Sequence, residues 1–198
     1  MNLWLAGFVF VLGGLVGFAI LVHPFSKGSV MAKPGTFKVK KDLYTYEIGD
    51  GLIRIPGVSV FSGMDVHTAK RLPHIFVDAY SNDEVSRPDA YVYERDVRVR
   101  LKHELEGHVQ VFAAKGFENF VHKIFTGGVL DTLRDAAYRY DIEIAERHIR
   151  LIVPSDVPVV SHNQALQHDL LKVAKTLAEQ VSQVSEKWDE SRLDQTKG

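Results

Sequence analysis

Residues 3–22, LWLAGFVFVLGGLVGFAILV, run for twenty positions without a charge and without a polar stripe. As a helix rising about 1.5 Å per residue, the run is about 30 Å long, the hydrocarbon thickness of a bilayer. A secretory leader is the competing reading, and it needs a basic start, a shorter apolar stretch and a small-x-small cleavage site. No Lys or Arg precedes the run, the run is too long, and HPFSKGSVMA offers a poor cleavage site. Residues 1–23 therefore predict an uncleaved, single-pass transmembrane anchor. Lys27, Lys33, Lys38, Lys40 and Lys41 follow it, with no acid before Asp42. Lys and Arg stay on the cytoplasmic side, so the N-terminus is expected outside the cell membrane and the bulk of the chain in the cytoplasm. The same lysines can attract anionic lipid at about 1 kcal/mol per charge, or only set topology. Gly13 and Gly17 form a GxxxG pair that permits close helix contact, although glycine is common in membrane spans.

Of the 198 residues, roughly 150–165 remain for a folded unit, enough for one ordinary core. A net charge of −1 argues against a general nucleic-acid binder. The absence of cysteine excludes a disulfide framework, cysteine-ligated zinc, iron–sulfur clusters and a thiol nucleophile. Residues 24–41 carry Pro24, Pro34, Gly28, Gly35 and serines and read as a basic linker. Residues 42–188 read as an α+β cytoplasmic domain, and 189–198 as a disordered tail.

Within that domain, Tyr44, Tyr46 and Ile48 alternate with polar residues, Gly49-Asp50-Gly51 supplies a turn, and Ile53 and Ile55 alternate again. This predicts a β-hairpin. HIFVDAY (74–80) reads as a buried strand and 82–96 as a polar loop. Val97, Val99 and Leu101 alternate with Arg98, Arg100 and Lys102, and HVQVFAA (108–114) repeats the pattern beyond a turn at Glu106-Gly107. Phe117, Phe120, Val121, Ile124 and Phe125 suggest a helical turn but leave the element type open. Thr126 can cap a helix with the apolar stripe Val129, Leu130, Leu133, Ala137 and Tyr140. IEIAERHIRLIV (142–153) reads as two strands about a tight turn near Glu146-Arg147.

Ser161 and Gln164 fit a capping box opening the last helix. Along it Leu166, Leu170, Val173, Leu177, Val181, Val184 and Trp188 recur at a mean spacing of ~3.67, nearer a straight amphipathic helix than a coiled coil. Docking on the domain's own sheet is favoured over a partner helix. The fold class expected is α+β: a mainly antiparallel sheet, a short helix and a long C-terminal amphipathic helix behind one transmembrane segment.

HELEGH (103–108) looks like a zinc-protease signature but is one residue out of register. Such a site needs two histidines four apart on a helix. His103 and His108 are five apart, which on a helix leaves the rings about 140° from one another. The alternation around them also favours a strand. Asp65, His67, His74 and Asp78 fall within fourteen residues and could make an N/O metal site, yet their spacing matches no familiar ligand set. His162, His168 and Lys172 fit a solvated helix face. Thr126-Gly127-Gly128 could open an anion-binding helix start, although two glycines there more often serve backbone geometry. Arg98, Arg100 and Lys102 are followed by Glu104 and Glu106, as on a solvated sheet face. No catalytic, cofactor-binding or metal-ligating set is assigned, and no cofactor is expected.

Leu105, Glu106, Gly107, Phe112, Thr126, Leu130, Leu133, Ile142, Glu143, Ile144, Ile149 and Leu151, with the strand at 71–79, resemble a bacterial family of membrane-anchored proteins of unknown function. The similarity covers roughly residues 71–79 and 104–153. It departs at His108, where relatives tend to carry an aromatic, and at Gly127-Gly128, where a proline and an acid are expected. The resemblance implies a membrane-tethered domain and brings no activity or site residue. Together these features predict a non-catalytic interaction or assembly module at the cytoplasmic face. The alternatives are a membrane-bound enzyme, hydrolytic in type and using His67, His74 and Asp78, or a small-ligand or lipid-binding domain.

Overall fold

A computed structural model describes residues 33–55, 59–79, 96–101, 107–153 and 160–186. The predicted anchor, most of the 82–96 loop, His103, Trp188 and the tail lie outside them. Among the described residues no helix is long and apolar enough to cross a membrane. In chain order the strands are β1 (Lys33–Val39), β2 (Asp42–Ile55), β3 (Ser59–Ala79), β4 (Asp96–Arg98), β5 (Val109–Ala114) and β6 (Asp141–Val153). The helices are α1 (Glu118–Ile124), α2 (Gly127–Asp135) and α3 (Gln164–Ser185), the last preceded by a 3₁₀ turn at Val160–His162. All pairings are antiparallel, so the class is α+β.

The long strand β3 is the axis. β6 runs along one side of it, from Ser62↔Val153 to Val77↔Ile142. On the other side β2 pairs its first half and β5 its second, with β1 and β4 outermost.

Both central strands change the parity of their inward residues midway. On β3 the core takes Met64 and Val66, then Ile75, Val77 and Ala79; on β6 it takes Ile142 and Ile144, then Ile149, Leu151 and Val153. Side chains alternate along a strand, so each parity change requires a bulge. The register is irregular between His67 and Ile75 on β3, and Glu146 has φ 52° on β6. Because the two irregularities face one another, the parity changes of the two strands match and one sheet face stays apolar throughout. Arg71 pairs with Glu146 at 2.9 Å, and Arg147 Nη1 donates to the Ala69 carbonyl at 2.6 Å, tying the bulges together. Glu146-Arg147 is therefore a bulge in one strand, not the turn between two that the sequence suggested.

Gly49-Asp50-Gly51 is corrected in the same way. It is an irregularity inside β2, with Gly51 at φ 65°, and not a hairpin turn. The hairpin turn lies instead at Lys40-Lys41, between β1 and β2. The linker reading of 24–41 fails over its second half, because 33–39 is a paired strand. Phe37 and Val39 are buried, and Phe37 stacks on Tyr44 at 5.5 Å. Two apolar positions among three lysines, Lys33, Lys38 and Lys40, gave too little alternation to recognise. At Gly35 an added Cβ would sit 2.4 Å from the Tyr46 ring, so glycine allows that ring to lie over β1.

The three helices cover the apolar face. Leu166, Leu170, Val173, Leu177 and Val181 of α3 are buried against it, which settles that this helix docks within its own chain. Each such side chain contributes roughly 1.5–3 kcal/mol. The N-cap is Asn163, whose side chain accepts from the Leu166 amide at 3.0 Å, and not Ser161. Ser161 sits in the 3₁₀ turn, and its hydroxyl donates to Asp50 at 2.5 Å. Thr126 holds the N-cap position of α2 without a side-chain capping bond. Helix α2 then ends at Asp135, with Ala137 and Tyr138 at φ 54° and 49°, so Ala137 is exposed and Tyr140 reaches the core from beyond the helix. The 117–125 stretch is helical, as α1.

Candidate functional site on the sheet face opposite the described helices

Residues between the core positions of β3 and β6 point away from the helices. On β3 these are Asp65 and His67, then, after the bulge, His74, Phe76 and Asp78; on β6 they are Glu143, then His148, Arg150 and Ile152. Phe76 and Ile152, with Ile53 and Phe61, make a small second apolar cluster here. The other members form a chain of charged contacts.

At one end His74 Nδ1 lies 2.7 Å from Asp96 Oδ2, and His74 Nε2 lies 3.8 Å from Glu143. Arg150 Nη1 donates to Glu143 at 2.6 Å, and Arg150 Nε reaches Asp65 at 3.4 Å. Asp65 in turn meets His148 Nδ1 at 2.9 Å through Oδ1 and 3.2 Å through Oδ2. The His148 ring stands against His67, with centroids 4.7 Å apart and planes at 62°. Burial works against the Arg150 charge, but Glu143 and then Asp65 outweigh it and raise its pKa.

Glu143 and Arg150 are seven residues apart on one strand. In a regular strand seven residues span about 23 Å, beyond the joint reach of the two side chains. Their contact exists because the bulge at Glu146 bends β6 toward this face. The bend thus gathers side chains that an unbroken strand would hold apart.

The structure divides the sequence candidates. Asp65 and His67 are joined by His148, and one ligand atom from each of the three lies within 4.8 Å of the others. His74 belongs to the separate Asp96 and Glu143 contact, and Asp78 is buried farther along the strand. His148 escaped the sequence reading, because a hairpin at 146–147 would have paired it with its own neighbours. The parity change from Ile144 to Ile149 was the available signal. His108 stacks on Tyr138 at 4.6 Å, and both His108 and His168 are exposed. Lys172 pairs with Asp135 across the helix layer at 2.9 Å. Gly127 and Gly128 open α2, where an added Cβ would meet nothing. Arg98 and Arg100 are exposed and Val99 is buried, the predicted alternation. No family model matches the chain, and no curated protein or solved structure matches it significantly.

Proposed function

We propose that the chain is a single-pass, membrane-tethered recognition module. Residues 3–22 form the anchor, and the N-terminus lies outside. Lys27, Lys33, Lys38, Lys40 and Lys41 hold the folded part against the anionic inner leaflet. Its function is non-catalytic, and it presents the sheet face opposite the three described helices to a protein partner. The observation that carries this reading is the ribbon of mutually paired polar side chains, Glu143, Arg150, Asp65 and His148, ending at the exposed His67. Such a ribbon favours a partner of complementary charge and repels others. Lys33 and Lys38, with Pro34, also flank the outer edge of β1, a pattern that discourages indiscriminate strand addition.

A photoreactive residue at position 67, in the full chain in native membranes, tests the proposal. A discrete adduct is expected from position 67, absent from an identical probe at His168 on α3 and lost in Arg150→Glu. Equal labelling from both positions contradicts it.

A second reading, a membrane-bound hydrolase, draws support from the adjacency of two histidines and a carboxylate. It requires turnover by the full chain that His67→Ala abolishes. A lipid cleft between sheet and helices gains no support, since Met64, Val66, Leu170 and Leu177 fill that interface and are fully buried.

A further inference from the structure

We infer that Asp65, His67 and His148 form a site for a divalent first-row transition ion of the zinc type. The ligand atoms lie within 4.8 Å of one another, so a modest closure of the side chains brings them onto one ion. The backbone beneath them is rigid: Val66 and Ile149, paired between the ligands and fully buried, lock the register. Asp65 and His67 share a face two residues apart on β3, and His148 stands directly opposite His67 on β6. The two rings meet at 62° and not in a parallel stack, which lets their nitrogens converge.

Two imidazoles and one carboxylate suit zinc and its neighbours; calcium and magnesium favour all-oxygen sets. Three protein ligands leave a position open for water or a group from a partner. The local charge also favours a cation. Arg150 is shared between Glu143 at 2.6 Å and Asp65 at 3.4 Å, and Glu47 lies opposite Asp65 on β2, so these carboxylates outnumber the guanidinium. A groove lined by Thr36, Thr45, Glu47 and His67 opens beside the site and gives an ion access. In the metal-free state the contact between His148 and Asp65 holds both groups in place. The site stands whether or not the recognition reading holds.

The test is zinc titration of the full chain in detergent, without a histidine tag, by competition with a chromophoric chelator. Cobalt absorption serves as a second readout. One equivalent is expected to bind, and His67→Ala, an exposed position, is expected to weaken it about tenfold or more and remove the cobalt bands. His148→Ala and Asp65→Asn should do the same, while His122→Ala, exposed on α1, should change nothing. If His148→Ala or Asp65→Asn misfolds, His67→Ala decides. Failure to bind zinc at micromolar concentration, or binding that His67→Ala leaves unaltered, overturns the inference.

Discussion

Arg150→Met tests the bent β6 strand and its charge ribbon together. The substitution keeps most of the aliphatic bulk and removes the cation that bridges Glu143 at 2.6 Å and Asp65 at 3.4 Å. Deleting one partner of a buried pair costs about 3–5 kcal/mol, because the other charge is left without compensation. Here the Arg150 side chain is 29% exposed and that of Glu143 9%, so solvent screens part of the loss. The expected cost is about 2–3 kcal/mol. Urea unfolding of the full chain in detergent, followed by circular dichroism, should show the midpoint lower by about 1–2 M. Adding Glu143→Gln removes the stranded charge, and the double variant should recover at least about 1 kcal/mol relative to additivity. Strict additivity, or a single-variant cost below about 0.5 kcal/mol, would refute the contact across the bulge and the strand bend inferred from it.

Three further outcomes follow from other parts of the fold. Asp50 is expected to stabilise the start of α3 in a pH-dependent way: burial raises its pKa, but bonds from Ser161, Val160 and Ser62 outweigh that and hold it low. A depressed carboxyl stabilises above its unfolded value of about 4 and loses that contribution as pH falls through the folded value. Asp50→Asn should therefore cost about 0.5–2 kcal/mol at neutral pH and progressively less below about pH 4; a pH-independent difference in melting contradicts this. Gly63→Ala places a Cβ 2.0 Å from the Leu151 backbone oxygen between the two central strands, and should cost about 3 kcal/mol in the same urea assay. At Gly35 the nearest atoms to an added Cβ belong to the far end of the Tyr46 ring, a side chain and not backbone. Gly35→Ala should therefore cost less, and the reverse order argues against the β3–β6 spacing. Ala137→Gly, at an exposed residue with φ 54°, should raise stability by about 0.5–1 kcal/mol, and a loss would contradict that backbone conformation.

Much of the fold is legible where a single period runs unbroken. The alternation of Val109, Val111 and Ala113 identifies β5, and the stripe from Leu166 to Val181 identifies α3 and its buried face. Reading fails where the period changes inside an element. A glycine-aspartate-glycine triplet and a Glu-Arg pair are strong turn signals locally, yet each sits at a bulge whose neighbours keep the strand paired. Long-range pairing outweighs local turn chemistry there. Asp65 and His67 could be singled out because they are close in sequence. Their third neighbour is 83 residues from Asp65, and only the β3–β6 register brings it in. Ser161 fits a capping box in sequence, but Asp50, from a distant bulge, claims its hydroxyl and leaves the cap to Asn163.

Disulfide trapping measures that register most directly. The chain has no cysteine, so His67→Cys with His148→Cys introduces one possible pair. Directly opposed residues in antiparallel strands have Cα atoms about 4.5–5.5 Å apart, within the range a disulfide spans. Mild oxidation of the full chain should close an intramolecular bond in the monomer, seen as a mobility shift reversed by reductant, with none in a His67→Cys, His122→Cys control. A 67–148 pair that stays reduced, or crosslinks only between molecules, would contradict the strand pairing on which the candidate site rests.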